Sequence, residues 1–587
     1  MLLNALFSEL SPLIDGARMV RHVEAIYRND RWFDFAHFEK TARYVASELE
    51  AAGCAEVELL PLRADGATRY GDWVVPRAWD AHEATLMLLQ ADGRVADDGT
   101  LADYHREPCC LVMYSASAQI HAAPVVLIDD PDAFTPRDLS GCVIFTALPP
   151  GRLVAAALAC GAAGIVSDFI PPYPGVRTRQ DVYDAFRWEN DFLCPINDTE
   201  LFAFNLSPRR GDQLRAEIAK NGGATLRVSV STDRYDGVCY TVSGLVRGHD
   251  AGEDAVMLVG HLYEPGANDN ATGCAGLIEL ARALCRLTPP RPIRIVMGFE
   301  CAGLSGYWAH HAERVSHVGA AIQMDMIGAA DADLAYMHLW HNPLSNYSYL
   351  DALLPLADEA FRAFSGQTYQ STEAPYSIGD NLLADPAIGV PTVSMIMHPA
   401  RSYHSSQDGM ALVSADVLAR NAVIAGAVAL TAAGDASWVA PHIEKKLARV
   451  TQDFIAGQSK PARAELEAWA LACALAKLQG DQLPPLPAAF AAPFDHPATR
   501  TVPVRLKPGT VTMSGTVRPG ETPEFAPFYN YELNAPLYWM DGTRTLGEVA
   551  RLWACEMNDE PDHAFNTLLS WTKALEAYGV LKLNPAY

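Results

Sequence analysis

Short apolar runs alternate with longer helical segments between residues 238 and 440. Four runs have the length and composition of buried strands: Val256–Val259, Ile293–Met297, Ala320–Met324 and Thr392–Met397. Three longer segments show the three-to-four-residue spacing of helices: Ala275–Leu287, Leu350–Phe364 and Val413–Thr431. Strands that alternate with helices are typical of a mostly parallel sheet that is covered by helices. We therefore predict an α/β fold built on a mixed, mostly parallel sheet.

The segments on either side of this region have a different pattern. Residues 17–53 predict a helix that ends at Gly53, and Val57–Leu60 predicts a strand. Residues 106–236 predict short strands around an alanine-rich helix, Leu153–Gly164. After residue 440 the sheet pattern stops, and mainly helices are expected up to a short strand at Val580–Leu583. These changes of pattern predict more than one domain.

Length and charge narrow the class of protein. A chain of 587 residues is too long for one hydrophobic core. Its net charge of -25 argues against nucleic acid or an anionic membrane as partner. The start lacks a basic signal-peptide region, and no stretch is long enough to span a bilayer. We therefore expect a cytoplasmic protein whose twelve scattered cysteines are reduced thiols.

Polar residues with metal-binding chemistry follow the first strand of the central region. His261 lies at the end of the run VMLVGHL, and Asp269 lies in GANDN, just before the next predicted helix. In open α/β sheets, the carboxyl ends of strands are where sites are built. A neutral imidazole and a carboxylate suit Zn²⁺, which accepts nitrogen and oxygen ligands. A hydrogen-bonded loop without metal is the alternative interpretation of this pair alone.

Similar residues follow the later strands. Glu300 follows one strand and could act as a general base, and Asp325 ends the next. An aspartate at the end of an apolar strand is costly to bury unless it is paired or bound to a metal. His404 stands in the loop segment SYHSSQD, and Asp380 stands in SIGDNLL, where it could orient a metal ligand or be an ordinary turn residue. Together these residues predict one site at one edge of the sheet.

Four segments, in order, resemble the motifs of the co-catalytic zinc aminopeptidases: GHLYEPGANDNATG, FECAGLSG, QMDMIG and SYHSSQD. That family includes bacterial leucyl aminopeptidases, glutamate carboxypeptidase and glutaminyl cyclase. The resemblance implies a zinc exopeptidase fold with residues 237–440 as catalytic domain and 1–105 as its N-terminal part. Residues 106–236 resemble an inserted, β-rich protease-associated domain. Residues 441–587 form a helical linker followed by a segment that resembles a winged-helix domain.

The resemblance also implies roles for individual residues. His261, Asp325 and His404 match metal ligands, and Asp269 matches the aspartate that bridges two zinc ions. Glu300 matches the general base that takes a proton from the attacking water. Three further residues match positions at the substrate or behind the ligands: Asp380, Tyr403 and Cys301. Of these, Tyr403 could donate a hydrogen bond to the tetrahedral oxyanion.

Two positions depart from the family pattern. The family has a second glutamate after the general base, as ligand of the other zinc, where this chain has Cys301. Cys301 is either a sulfur ligand or a buried bystander beside a weak or missing second site. The family also has an aspartate two residues after the first histidine, where this chain has Tyr263. The hydroxyl of Tyr263, or Glu264, could orient His261 in its place.

These observations predict a zinc-dependent aminopeptidase that holds one or two Zn²⁺ ions and acts on peptides. One alternative is a zinc amidohydrolase or cyclase that acts on a small amide. Another is a peptide-binding relative without catalysis, which the departures at Cys301 and Tyr263 favour. We expect neither nucleic acid nor membrane as partner, and a homo-oligomer contact through the C-terminal domain.

Overall fold

The computed structural model describes residues 2–130, 137–188, 200–250, 252, 254–455, 460–491, 494, 496–512 and 531–584. Its strands, in chain order, are β1 (Ala55–Ala64), β2 (Arg69–Tyr70), β3 (Trp73–Val74), β4 (Ala78–Leu89), β5 (Val95–Asp103), β6 (Ala118–Leu127), β7 (Val143–Thr146), β8 (Gly164–Ser167), β9 (Phe202–Asn205), β10 (Thr225–Tyr235), β11 (Gly237–Val246), β12 (Val256–Leu262), β13 (Ile293–Phe299), β14 (Ala320–Asp325), β15 (Met337–Trp340), β16 (Ser371–Ala374), β17 (Thr392–Ile396), β18 (Val502–Arg505) and β19 (Leu581–Asn584).

The helices, in the same order, are α1 (Leu2–Leu10), α2 (Gly16–Asp30), α3 (Phe35–Ala52), α4 (Val154–Cys160), α5 (Pro208–Asn221), α6 (Ala271–Leu287), α7 (Ala302–His310), α8 (Ala312–Ser316), α9 (Leu350–Ser365), α10 (Ala415–Ala433), α11 (Ala440–Ile455), α12 (Pro461–Gln479), α13 (Tyr531–Tyr538), α14 (Leu546–Met557) and α15 (Pro561–Ala577).

The central sheet has eight strands in the order β1-β11-β13-β12-β14-β17-β15-β16. Its middle strands β13, β12, β14 and β17 are parallel to one another. Every residue of β12 and β14 is buried, as expected for strands that are covered on both faces. This arrangement confirms the predicted α/β fold class, and it places the carboxyl ends of the parallel strands at one edge.

The helix predicted over residues 17–53 is wrong as a single element, because α2 and α3 are separate helices. Phe33, between them, has a φ of 54°, which does not continue a helix. The Asp34 side chain then accepts a hydrogen bond from His37 N at 2.9 Å and caps α3. The predicted end at Gly53 agrees with its left-handed φ of 100°. Spacing alone did not reveal the cap in mid-segment.

A buried ion pair fixes α2 to α6, the helix that begins at the candidate site. The Glu279 side chain is fully buried, and its carboxylate accepts hydrogen bonds from Arg18 Nε at 2.7 Å and Nη2 at 2.6 Å. Asp15 N donates to the same carboxylate at 2.7 Å. Because a buried charge is costly unless paired, these contacts specify how α2 docks.

The second sheet has seven strands in the order β5-β4-β10-β6-β7-β8-β9. It contains β4 and β5, which the sequence assigned to the N-terminal part of the catalytic domain. The boundary predicted between residues 105 and 106 therefore cuts through this sheet. The reason is that β4 pairs along its length with β10, from Ala78↔Tyr235 to Leu89↔Thr225. Local alternation predicts a strand but not its distant partner.

The C-terminal part contains α11 to α15 and a two-stranded antiparallel sheet, β18–β19. Helix α14 begins with a capping box, in which the Thr545 and Glu548 side chains each bond the backbone N–H of the other residue. The two strands lie on either side of α13 to α15 in the sequence. The resemblance to a winged-helix domain stays a prediction.

Among the described helices, α10 alone is long and apolar enough to cross a membrane by length and composition. No segment of that length was expected from the sequence. In the structure, 78% of its apolar window is buried inside the molecule. That burial is typical of a core helix.

Candidate metal centre

Asp269 lies between the two predicted histidine ligands. Its Oδ1 atom is 3.4 Å from Nε2 of His261, and its Oδ2 atom is 3.4 Å from Nε2 of His404. His261 comes from the end of β12, Asp269 from the loop before α6, and His404 from the loop after β17. Each carboxylate oxygen therefore faces a different imidazole, which is the arrangement a bridging carboxylate requires.

Glu264 joins this group, although the sequence suggested it only as a substitute for an orienting aspartate. Its Oε2 atom is 3.1 Å from Nε2 of His261, and its side chain is 5% exposed. One ligand atom each from His261, Glu264 and Asp269 lie within 4.8 Å of one another. The sequence assigned this residue no role as a ligand, since its proximity to His261 comes from the course of the loop.

Asp380 orients His261 from the opposite side of the ring. Its Oδ2 atom is 2.9 Å from Nδ1 of His261, and its Oδ1 atom accepts a hydrogen bond from Cys301 N at 2.8 Å. The hydroxyl of Tyr263 instead donates to the carbonyl of Tyr240 at 2.6 Å. The suggestion that Tyr263 orients the histidine is therefore wrong. Asp380 leaves Nε2 of His261 facing Asp269 and Glu264.

Asp325 ends β14 and is 5% exposed. Its Oδ1 atom is buried and has no hydrogen-bond partner among the described residues, whereas Oδ2 accepts a long hydrogen bond from Gln323 at 3.4 Å. Burial, together with the charges of Asp269 and Glu300, raises the pKa of Asp325 against the opposing effect of His261. A buried carboxylate oxygen without a partner is expected where a cation binds.

The electrostatics of the buried group also fit a cation. Burial disfavours a charged imidazole, but the carboxylates of Glu264 and Asp325 raise the pKa of His261 well above its usual value. Burial likewise opposes charge on Asp269, but hydrogen bonds with His261 and His404 lower its pKa. The group therefore holds more carboxylates than its two histidines can neutralise. Nitrogen and oxygen donors in this proportion suit Zn²⁺.

Glu300 and Cys301 lie between β13 and α7. The charge of Glu300 contributes, after burial, to the raised pKa values of Glu264 and Asp325, so Glu300 lies near both. Cys301 is fully buried, and burial followed by the charges of Glu300 and Asp380 raises the pKa of its thiol. Both interpretations of Cys301, as a sulfur ligand and as a buried bystander, stay predictions.

The His404 ring lies between two aromatic rings. Its centroid is 3.8 Å from that of Tyr403 and 3.9 Å from that of Trp188. Tyr403 therefore contacts a candidate ligand, and its hydrogen bond to the oxyanion stays a prediction. Trp188 comes from the part of the chain that the sequence assigned to the inserted domain, and nothing in its neighbourhood signalled this contact.

Asp408 is a second residue that the sequence analysis missed. Its Oδ1 atom accepts a hydrogen bond from Asn268 N at 2.7 Å, and its Oδ2 atom accepts one from Asp269 N at 3.0 Å. Asp408 thus holds the backbone of the bridging aspartate. It is the last residue of SYHSSQD, so the motif contained it, but the resemblance assigned it no role.

Residues 242–429 match the model of Peptidase family M28. Residues 242–429 are therefore similar to that family, in agreement with the resemblance drawn from the motifs, and the match supports a peptidase function. All candidate ligands and the candidate base lie within the matched residues. None of the curated proteins matches the chain.

Solved structures share the fold. A Peptidase M28 precursor from Shewanella amazonensis is 17% identical, with a TM-score of 0.54 over 74% of this chain and 97% of that one. BSAP, a zinc aminopeptidase from Bacillus subtilis, is 14% identical, with a TM-score of 0.51 over 71% and 94%. A structure from Clostridium acetobutylicum is 13% identical, with a TM-score of 0.51 over 99% of both chains. At such identities the likeness concerns the fold alone.

Proposed function

We propose that the protein is a zinc-dependent aminopeptidase that hydrolyses the N-terminal amide bond of peptides. The observation that carries the proposal is the position of Asp269, whose two oxygens each lie 3.4 Å from a different histidine. A carboxylate shared in this way is suited to hold two cations, or one cation and a water.

Five side chains would hold zinc: His261, Glu264, Asp269, Asp325 and His404. The carboxylates are distributed unevenly between the two histidines. Glu264 lies on the His261 side of Asp269, whereas on the His404 side Cys301 stands where the resemblance leads us to expect a carboxylate. We infer one tight zinc position at His261 and a weaker one at His404. When bound, zinc would lower the pKa of water and polarise the scissile carbonyl.

Glu300 would act as the general base. It would accept a proton from the attacking water and later donate it to the departing amine, which gives typically a ~10²–10⁴-fold contribution. Its backbone neighbour Cys301 N is held by Asp380 at 2.8 Å, so the loop that carries the base is tied to the orienting residue of His261. Tyr403 would donate a hydrogen bond to the oxyanion.

The free α-amine of the peptide would rest near a metal ion or near a carboxylate beside it, which is the basis of the proposed preference for a free N-terminus. The net charge of -25 supports a peptide, and neither nucleic acid nor a membrane, as partner. We propose a cytoplasmic enzyme, with an oligomer contact through the C-terminal domain.

The test is a panel of aminoacyl anilides with free and with acetylated amines, assayed beside elemental analysis of the purified protein. We expect zinc in the protein and hydrolysis of the free-amine substrates only. Equal hydrolysis of acetylated substrates would instead support the small-amide hydrolase. Zinc without turnover of any substrate would support the binding relative.

A further inference from the structure

A loop of the second sheet contacts the candidate metal centre directly. Residues 186–188 run antiparallel to residues 404–406, with a β-bridge between Arg187 and Ser405. Ser406 N donates to the carbonyl of Phe186 at 2.7 Å, and Phe186 N donates to Ser406 Oγ at 3.0 Å. The loop that carries His404 is therefore paired with a segment that lies more than two hundred positions earlier.

Arg177 holds the same loop from a second point. Its side chain is 2% exposed. Its Nη1 atom donates to the carbonyls of Arg401 at 3.0 Å and Tyr403 at 2.6 Å. Its Nε and Nη2 atoms donate to the carbonyl of Pro171 at 3.0 and 2.8 Å, and its guanidinium lies 4.6 Å from the centre of the Tyr173 ring. The planar guanidinium group is thus fixed at its Nε and Nη2 atoms, and its Nη1 atom donates to the backbone beside His404.

Trp188 completes the contact at the histidine itself. Its backbone N donates to the His404 carbonyl at 3.4 Å, and its ring lies 3.9 Å from the imidazole at an angle of 33°. The ring is 1% exposed and is itself wedged against Phe33 at 5.5 Å. Because it cannot turn away, it limits the orientations that the imidazole can take.

His404 needs such support because of its backbone. Its φ is 50°, in the left-handed region that residues other than glycine seldom adopt. Such conformations persist where surrounding contacts determine them. The catalytic domain holds the start of the loop, since Asp333 accepts hydrogen bonds from Ser402 N at 2.8 Å and Oγ at 2.6 Å. The carbonyls of Tyr403 and His404 are held from the second sheet instead.

We propose that Arg177 and Trp188 are positioning residues of the metal centre, and that the part of the chain built around the second sheet (the second-sheet domain) supplies them to fix His404. This inference rests on the proposed function, because it assigns His404 to zinc. It gives the part of the chain that forms the second sheet a role in metal affinity. Residues behind a metal ligand typically affect metal affinity by roughly 10- to 100-fold.

The test compares Arg177→Met and Trp188→Leu with the wild type in full-length protein. Zn²⁺ affinity is measured by competition with a chromophoric chelator, and the spectrum of the Co²⁺-loaded protein reports ligand geometry. We expect roughly 10-fold or greater loss of affinity at the weaker zinc position, and an altered Co²⁺ spectrum. Trp188→Phe, which keeps an aromatic ring on the imidazole, should restore most of the affinity.

Arg209→Met is the matched control. Arg209 also lies 4.6 Å over a tyrosine ring of the second-sheet domain, but its side chain is 56% exposed and pairs with Asp184. The Arg209→Met variant should bind zinc with the affinity of the wild type. A second control is Arg177→Met in a His404→Ala background, where no further loss of affinity is expected, because the residue acts through His404.

The outcomes separate this inference from the proposed function. A wild type that binds no zinc would overturn both. A wild type that binds zinc and cleaves free-amine substrates, with Arg177→Met and Trp188→Leu binding zinc equally well, would overturn only the inference. If Arg177→Met does not fold, the Trp188→Leu and Trp188→Phe pair decides the question.

Discussion

Replacing Asp380 with asparagine tests whether this residue orients His261 for metal binding. One oxygen of Asp380 faces Nδ1 of His261 at 2.9 Å, and the other accepts from Cys301 N at 2.8 Å. Asparagine offers one acceptor and one donor in place of two acceptors. If its oxygen keeps the bond to Cys301, its amide donates toward Nδ1. His261 must then carry its proton on Nε2, the nitrogen that faces Asp269 and would bind zinc.

The magnitude follows from the lost interaction. A hydrogen bond to a charged group contributes about 1.5–3 kcal/mol, which corresponds to roughly 10- to 150-fold in an equilibrium constant. Asp380→Asn should therefore weaken zinc binding by roughly 10- to 100-fold, in line with other residues that orient metal-bound histidines. The fall in kcat/KM at saturating zinc should be smaller than that at limiting zinc, because excess metal restores occupancy.

Zinc affinity is measured by chelator competition, and kcat/KM with a leucyl anilide at both zinc concentrations. Asp358→Asn is the matched control. Asp358 is a 1% exposed aspartate on α9 that accepts from Arg362 at 2.9 Å and Ser371 at 2.6 Å, so its loss should lower stability alone. Zinc affinity of Asp380→Asn within twofold of the wild type would refute the reasoning.

Three further predictions concern single residues. Glu300→Gln should lower kcat by roughly 10²–10⁴-fold with unchanged zinc content, measured by steady-state kinetics and elemental analysis; unchanged turnover would contradict its role as base. Cys301→Ala should keep the zinc content of the wild type, and a loss of one ion per chain would make the thiol a ligand. Glu373→Gln should lower the thermal midpoint at pH 6 but not near pH 2. Burial would raise the pKa of Glu373, but His341 and Lys446 lower it from 4.5 to about 2, so its stabilisation is present above pH 4.5 and lost as the pH falls toward 2. The effect should be about 1 kcal/mol, since the side chain is 41% exposed and solvent screens the pair; equal midpoints of both proteins at pH 6 would argue against it.

The sequence predicted the polar residues at the strand ends correctly, because the apolar runs that reveal them are local patterns. His261 and Asp325 each close an apolar run, and a parallel sheet brings such ends to one edge. The motifs, in their order, were enough to point to the family whose model residues 242–429 match. The positions of the motifs along the chain do not give the distances between their side chains. Only the fold shows that His261 and His404 face the two oxygens of one aspartate.

Other features depended on distant pairing. The boundary at residue 105 was wrong because β4 pairs with β10, which a local pattern does not reveal. Arg177 and Trp188 belong to no recognisable motif. Their role comes from contacts with backbone carbonyls, and because every residue has a carbonyl, such a contact is not visible in the residue types. Glu264 is a loop glutamate in the sequence, and only the return of the loop toward His261 makes it a neighbour of the imidazole.

The amino-acid sequence by itself determined most of the strands and helices, the resemblance to a peptidase family, and the chemical types of side chain available for a metal. Tertiary structure alone decided which of them meet, how Asp380 replaces the orienting residue absent at Tyr263, and which domain supports His404. The physical reason is that periodicity and capping act over a few residues. A metal centre, in contrast, is made from side chains that only the packed sheet, with its paired loops, brings within a few ångströms.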